Sequence, residues 1–284
     1  MRALDQEVVD AVWSAVEALI PKPDVTHPLG CHRRRASDRD CFWGIVIRLA
    51  TGCSWEDAER LLDGRVSDTT LRSRRDEWVK AGVFDRIADE AVAAMDRIIG
   101  LDLSDVAVDA SIHKAPCGGE GTGPSPIDRR KLGWKWTICA DRNGIPIGWA
   151  ATGANRNDVI GFTPAFEAMT SRGFAFDIES IHMDRSYDVG WIRDTCRDAG
   201  IDDIRCAKRR RRGDPTFGDG TIAADPLGMR WAIERTNSWL SNFGQLRRNT
   251  DRRSIHRLAQ LALAITIIIT AKLINWRNRW SPIR

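Results

Sequence analysis

Seven cysteines are scattered through the 284 residues with no C-x-x-C pair among them. An odd, dispersed set of thiols builds neither a disulfide framework nor a cysteine-rich zinc site, so these are read as reduced cysteines. The G-x-x-x-x-G-K-[ST] order of a phosphate-binding P-loop is missing as well. No secretory leader is visible: the first twenty residues carry Asp5, Glu7, Asp10 and Glu17 among apolar positions, which is the pattern of an amphipathic helix. One uncharged run, Leu258 to Ala271, stops at Lys272, short of the roughly 20 apolar residues that a membrane span needs. It is expected to be a buried core helix, and the chain is expected in the cytoplasm.

Charge of one sign is also scarce, since 43 basic residues against 39 acidic ones leave only +4. What the chain does have is bunching. Lys208 to Arg212 is an unbroken run of cations and Arg247 to Arg257 is rich in arginine. Local clusters of this kind speak for a polyanionic partner more than the total does. Hydrophobic residues at 43% and charged residues at 29% are ordinary for a globular protein, and the length allows two compact domains.

The amino-terminal hundred residues read as helical. The opening helix ends near Pro21, a Pro- and Gly-containing link follows, and Cys31 to Arg39 is a basic lead into the apolar helix around Phe42 to Leu49. Ser54 with Asp57 three residues later forms a capping box for a short helix that Asp63 and Gly64 end. Ser67 then caps a second helix, with Leu71, Trp78 and Val79 on its apolar side and Arg72, Arg74, Arg75 and Lys80 assigned to the other. Two short helices about a tight turn, the second basic, suit a helix-turn-helix near residues 54–80, with Arg72, Arg74 and Arg75 toward DNA. A plain helical hairpin with a solvated basic face fits the same pattern.

Beyond a helix from Phe84 to Ile99 the character changes. Val106 to Ser111, V-A-V-D-A-S, is a short β-favouring apolar run with one carboxylate, Asp109, in its middle. Burying that charge is costly unless a partner compensates, and a cation is the simplest one. His113 and Lys114 follow, with Lys114 a candidate phosphate contact, and then a glycine-rich loop from Cys117 to Pro126. Gly133 to Ala140 and Ile145 to Ala151, separated by D-R-N-G, read as a hairpin, so three consecutive strands form an antiparallel meander. A crossover helix spans Asp158 to Thr170. Ser180 to Tyr187 is a strand ending in Asp184, where open α/β sheets place their chemistry. Helix 189–199 and strand 203–207 lead into the cation run. A last chemistry-bearing helix, 229–244, carries Ile233, Thr236, Leu240 and Phe243 on one face and Glu234 on its flank beside Arg230.

Asp109, Asp184 and Glu234, 75 and 50 residues apart, are therefore candidate partners in one site. The motifs around them, V-A-V-D-A-S, M-D-R-S-Y-D and R-W-A-I-E-R-T-N-S-W-L, resemble those of bacterial insertion-sequence transposases of the DDE class, most nearly insertion-sequence family five. The G-W-K-W and G-I-P-I-G segments, A-N-R-N-D ending at Asp158, and H-R-R-R and T-G-C-S-W resemble the family too, so the likeness spans about residues 13 to 275. It departs from the family pattern where Leu227 and Ser241 stand at the expected tyrosine and lysine.

The resemblance implies an α/β, ribonuclease H-like catalytic domain of mixed sheet and flanking helices over residues 101–284, behind a helical DNA-binding region at 1–100. It implies that Asp109, Asp184 and Glu234 are catalytic and hold two divalent ions, Mg2+ with Mn2+ able to substitute. Two cations suit phosphodiester chemistry because they activate the attacking oxygen and stabilise the leaving one. Lys208, Arg209, Arg210, Arg230, Arg247 and Arg248 are expected to meet DNA phosphate. The implied reaction is cleavage at the terminal inverted repeats of a mobile element and joining of the 3′-hydroxyls to target DNA, by a homodimer associated with the nucleoid. A catalytically inactive DNA-binding relic or repressor, and a nuclease that cuts without joining, are the rival readings.

Overall fold

The computed structural model describes residues 4–22, 35–206 and 230–280. The chain divides into two compact units, one made of Met1–Ile99 with Trp239–Arg284 and the other of Gly100–Ser238. The sequence placed everything after residue 100 in one catalytic domain. By compactness the segment from Trp239 groups with the amino-terminal helices.

Among the described residues the first unit is built of helices. Helix α1 (Gln6–Leu19) is capped by Asp5, and α2 (Asp38–Thr51) by Ser37 and closed by Gly52 at φ 75°. α3 (Trp55–Leu61) and α4 (Asp68–Lys80) start at Ser54 and Ser67, each hydroxyl accepting the backbone N–H three residues on, as the capping pattern requires. α5 (Val83–Ile98) packs against the long helix α10 (Ser254–Trp280), which also meets α1 and α4. By length and composition α10 passes for a membrane span, but 61% of its most apolar window is buried inside the protein. Its uninterrupted apolar run is therefore a core filler, closed in by α5 on one side and α1 on another.

A polar hub lies inside this unit. The Asp251 carboxylate accepts from Arg48 at 3.1 Å, Arg75 at 3.0 Å and Gln245 at 3.2 Å, and also from Gln260. Arg48 and Arg75 both stack over the Trp55 ring, at 4.4 and 5.2 Å. Two guanidiniums around one carboxylate satisfy charges that burial alone would make prohibitive.

The second unit is a mixed sheet. β1 (Asp105–Lys114) lies at its centre, antiparallel to β3 (Leu132–Ala140), which pairs antiparallel with β4 (Pro146–Gly153) and with the two-residue β2 (Gly123–Pro124). On its other edge β1 runs parallel to β5 (Ser180–Met183), and β5 runs parallel to β6 (Asp203–Cys206). The meander is the one the D-R-N-G turn predicts, with Gly144 at φ 73° closing it. The parallel strands need crossovers, supplied by α6 (Val159–Thr170) before β5 and α7 (Gly190–Asp198) before β6. α6 lies on β3 and β4 at very close range: a Cβ on Gly161 would fall 2.1 Å from the Thr137 hydroxyl. An antiparallel meander continued by parallel strands, with helices against it, is the ribonuclease H-like arrangement. The glycine-rich stretch is not wholly irregular, since β2 lies within it and Ser125 N–H bonds the Lys131 carbonyl at 2.8 Å.

Candidate active site

β1 and β5 pair in parallel as far as Val108 with Met183, so the next residue on each strand is an aspartate, Asp109 beside Asp184. Asp184 thus stands just past the carboxyl end of β5, the position that an open sheet offers for chemistry, and Asp109 lies midway along the neighbouring β1 at the same level. Asp184 ends its strand by capping a short turn, Arg185–Tyr187, through the Arg185 N–H at 2.6 Å. Asp109 stays within β1, opposite Ile138 on β3.

The electrostatics of the two differ from those of a paired ion. Burial, with Asp184 and Asp158 adding repulsion, pushes the Asp109 carboxyl up to about 6, although the Ala110 N–H and Arg230 pull the other way. Arg230 approaches Asp184 only to 3.8 Å, too far for a hydrogen bond. Tyr187 is fully buried among the same acids, its hydroxyl has no hydrogen-bond partner among the described residues, and its pKa is raised by burial and by Asp109, Asp158 and Asp184. Crowded carboxylates with hard oxygen donors and one distant arginine are the environment that a divalent cation relieves.

Helix α8 (Arg230–Ser241) flanks the pair. Its residues Arg230, Glu234 and Asn237 are spaced four and three apart and share a face. Asn237 donates its amide N–H to Asp109 Oδ2 at 3.2 Å and accepts from Trp136 Nε1 at 2.9 Å. Glu234 is exposed. Among the described residues no three His, Cys, Asp or Glu side chains are gathered tightly enough to hold a metal ion. The structure therefore brings two of the three expected ligands together and leaves the third on the neighbouring helix.

The expected DNA contacts divide in the same way. Arg74 and Arg75 are buried, Arg74 against Asp38 and Glu77 and Arg75 against Asp251 and Asp76, so their assignment to a DNA-facing surface is corrected. The reason is periodic: positions 71, 74, 75 and 78 form one i, i+3, i+4, i+7 stripe, so both arginines lie on the side of Leu71 and Trp78. Arg72 is exposed and bonded to Glu56 and Asp68. Lys114 is exposed with Asp128 at 3.9 Å, and Arg247 and Arg248 are exposed. Lys208, Arg209 and Arg210, residues 31–34 of the basic lead, His32 among them, and Leu227 lie outside the described residues.

Three side chains at this sheet end went unmarked as site residues. Asn237 is signalled by its helical spacing from Arg230 and Glu234. Trp136 belongs to the same face of the hairpin as Asp109. Asp158 is held by the buried Lys135 Nζ, which also donates to the Arg156 carbonyl at 2.7 Å. His113 stacks on Trp136 with ring centroids 3.5 Å apart, and burial lowers its pKa to about 3, so it is a neutral stacking group at physiological pH.

Comparison with known proteins divides the chain near residue 100, with the second match running on past Trp239. Residues 8–88 match the family model described as "Putative transposase of IS4/5 family (DUF4096)", and residues 100–270 match "Transposase DDE domain". A Burkholderia cepacia protein, "Putative transposase for insertion sequence element IS402", is 37% identical over 157 residues, 53% of this chain and 69% of that one. A second from the same organism, "Insertion element IS402 uncharacterized 16.2 kDa protein", is 32% identical over 117 residues, 41% of this chain and 79% of its own length. Among solved structures, "Crystal structure of a pre-cleavage Mos1 transpososome" matches at 10% identity with TM-score 0.28, over 88% of this chain and 82% of that one. "Crystal structure of the Mos1 mariner paired end complex with Mn" matches at 10% identity with TM-score 0.27, over 94% and 86%. Likenesses that loose carry no argument about this chain.

Proposed function

The chain belongs to the IS4/5 family of insertion-sequence transposases and carries a DDE transposase domain, and from that premise we propose that it cleaves the ends of its element and joins them to target DNA. A DDE transposase is a nuclease and transesterase acting on DNA, and its domain implies dependence on a divalent metal. The finer reading concerns which residues do this. Asp109 and Asp184, with Glu234 from α8, would hold the metal, two Mg2+ ions replaceable by Mn2+. When bound they supply Lewis acidity to both the attacking and the leaving oxygen of the phosphodiester.

The chain's own groups do the rest. Arg230 offers a cation beside Asp184 for a phosphate oxygen, and the basic sequence Lys208, Arg209 and Arg210 supplies further phosphate contacts. Lys114, Arg247 and Arg248, all exposed, contact the backbone of the substrate. In the first unit α3 and α4 form the helix-turn-helix that recognises the terminal inverted repeats, with Arg72 at its surface. Two ends require two recognition units, so the working species is a homodimer on DNA, in the bacterial cytoplasm at the nucleoid.

The observation that carries this reading is the parallel register that sets Asp109 beside Asp184, with the Asp109 carboxyl pushed up to about 6 by burial first and acidic neighbours next. Purified protein with Mg2+ or Mn2+ and a DNA fragment bearing the element's ends tests it. Cleavage followed by joining of the 3′ ends is expected. Specific end binding without cleavage under either metal would instead identify a repressor or relic, and cleavage without joining a nuclease.

A further inference from the structure

Asn237 is the one α8 side chain hydrogen-bonded to an acid of the pair through its own amide, and that amide is gripped from both sides. An indole Nε1–H can only donate, so it fixes the Asn237 oxygen toward Trp136 and thereby turns the NH2 group toward Asp109. Trp136 has little freedom to do otherwise. It is fully buried, stacked by His113 at 3.5 Å and met edge-on by Trp134 at 5.3 Å, and His113 in turn bonds the Ser111 hydroxyl at 2.9 Å. The register pairs Asp109 with Ile138, Ser111 with Trp136 and His113 with Trp134, so all these groups lie on one face of the β1–β3 ladder. One residue earlier on α8, Thr236 donates to the Gly144 carbonyl at 2.6 Å in the hairpin turn, and Arg235 bonds the Asn143 carbonyl. The helix is thus fastened to β3 at two points, the turn and Trp136.

We propose that Asn237 is a positioning residue: it orients the Asp109 carboxylate and sets the register of α8 so that Glu234, one turn earlier, is presented to the same sheet end. The proposal rests on the reading of Asp109 as a metal ligand. An amide is the group that this place requires. A carboxylate would accept from Trp136 but repel Asp109, and an apolar side chain would take away both the indole's acceptor and the carboxylate's donor.

The test uses the full chain with three variants, Asn237→Leu, Asn237→Asp and Trp136→Phe, and three readouts: Mn2+ affinity by calorimetry without DNA, the single-turnover rate of end cleavage, and affinity for end DNA. Partners of this kind typically cost about 10–100-fold in metal affinity or activity when removed. That loss is expected for Asn237→Leu and Asn237→Asp in both Mn2+ affinity and cleavage rate, with end-DNA affinity unchanged. Trp136→Phe is expected to lose less, in the same direction, and to add nothing on the Asn237→Leu background, because its effect runs through the same amide. Wild-type Mn2+ affinity and cleavage rate in either Asn237 variant overturn the proposal, as does an undiminished Trp136→Phe effect on the Leu background. Should Asn237→Leu fail to fold, Asn237→Asp and Trp136→Phe decide by the same criteria. An Asp109→Asn chain that keeps wild-type Mn2+ affinity overturns the metal-site reading itself, whereas loss in Asp109→Asn without loss at Asn237 overturns only the positioning role.

Discussion

Two recessed aspartates, Asp251 in the helical unit and Asp109 in the sheet unit, show opposite solutions to the same problem. Burial raises the pKa of both. At Asp251 the guanidiniums of Arg48 and Arg75 outweigh burial and hold the carboxyl below its ordinary value. At Asp109 burial outweighs the pull of the Ala110 N–H and Arg230, Asp184 and Asp158 add repulsion, and the carboxyl stays up near 6. One site is complete with the protein's own side chains. On the proposed reading the other would be completed by a cation supplied from outside, which is the difference between a structural carboxylate and one kept for chemistry.

That contrast can be broken at either end. The largest expected effect is at Asp109: Asp109→Asn should lower end cleavage by at least about a thousandfold, on the order of 4 kcal/mol of transition-state stabilisation, with end binding retained. Next is Asp251→Ala, which leaves Arg48 buried without its counter-ion and Arg75 with only the half-exposed Asp76. Breaking a buried pair costs about 3–5 kcal/mol, so chemical denaturation should find this variant barely folded, and wild-type stability would remove Asp251 as the organising charge of its unit.

The pH dependence should also differ in sign. Asp109 has a raised folded pKa, so without metal its contribution to stability is greatest below about pH 4 and declines as pH rises through about 6. Asp109→Asn is expected to remove that decline and to gain about 1–3 kcal/mol at pH 7 in metal-free buffer. Asp251 has a lowered folded pKa, so its stabilisation is present above about pH 4 and is lost as pH falls through its lower folded value. Thermal melts from pH 3 to 8 on the two variants separate the cases, and parallel behaviour would erase the contrast.

Smaller effects sharpen it. Gly161→Ala places a methyl 2.1 Å from the Thr137 hydroxyl, where α6 seats on the sheet, and should cost about 1–3 kcal/mol by overpacking. Smallest are the exposed cations: Arg247→Ala or Arg248→Ala should weaken DNA binding modestly and reduce its salt slope by about one each. The buried Arg75, by contrast, should reveal itself in stability rather than in the salt slope.

Much of this arrangement can be read from residue patterns alone. The hairpin follows from D-R-N-G, the two helices of the first unit from Ser54 and Ser67, and the candidacy of Asp109 from a lone carboxylate among β-formers. What patterns did not reveal has physical reasons. Asp109 and Asp184 are expected together from their motifs, but the register that brings them level depends on β5 being parallel to β1, a long-range choice with no local signal. Arg74 and Arg75 look like a basic surface until the helical stripe is counted against Leu71 and Trp78. The attachment of residues 239–284 to the helical unit depends on Asp251 meeting Arg48 and Arg75 across more than 170 positions. Asn237, like any amide, has no charge to advertise it, and only the indole of Trp136 gives it a direction.

On the proposed reading the Asp109 and Asp184 pair is kept electrostatically incomplete so that a divalent cation completes it. Calorimetric titration of Mn2+ into the metal-free chain, beside Asp109→Asn and Asp184→Asn, tests it most directly. Saturable binding in the wild type, lost in both variants, is the predicted result, and equal binding in all three would contradict it.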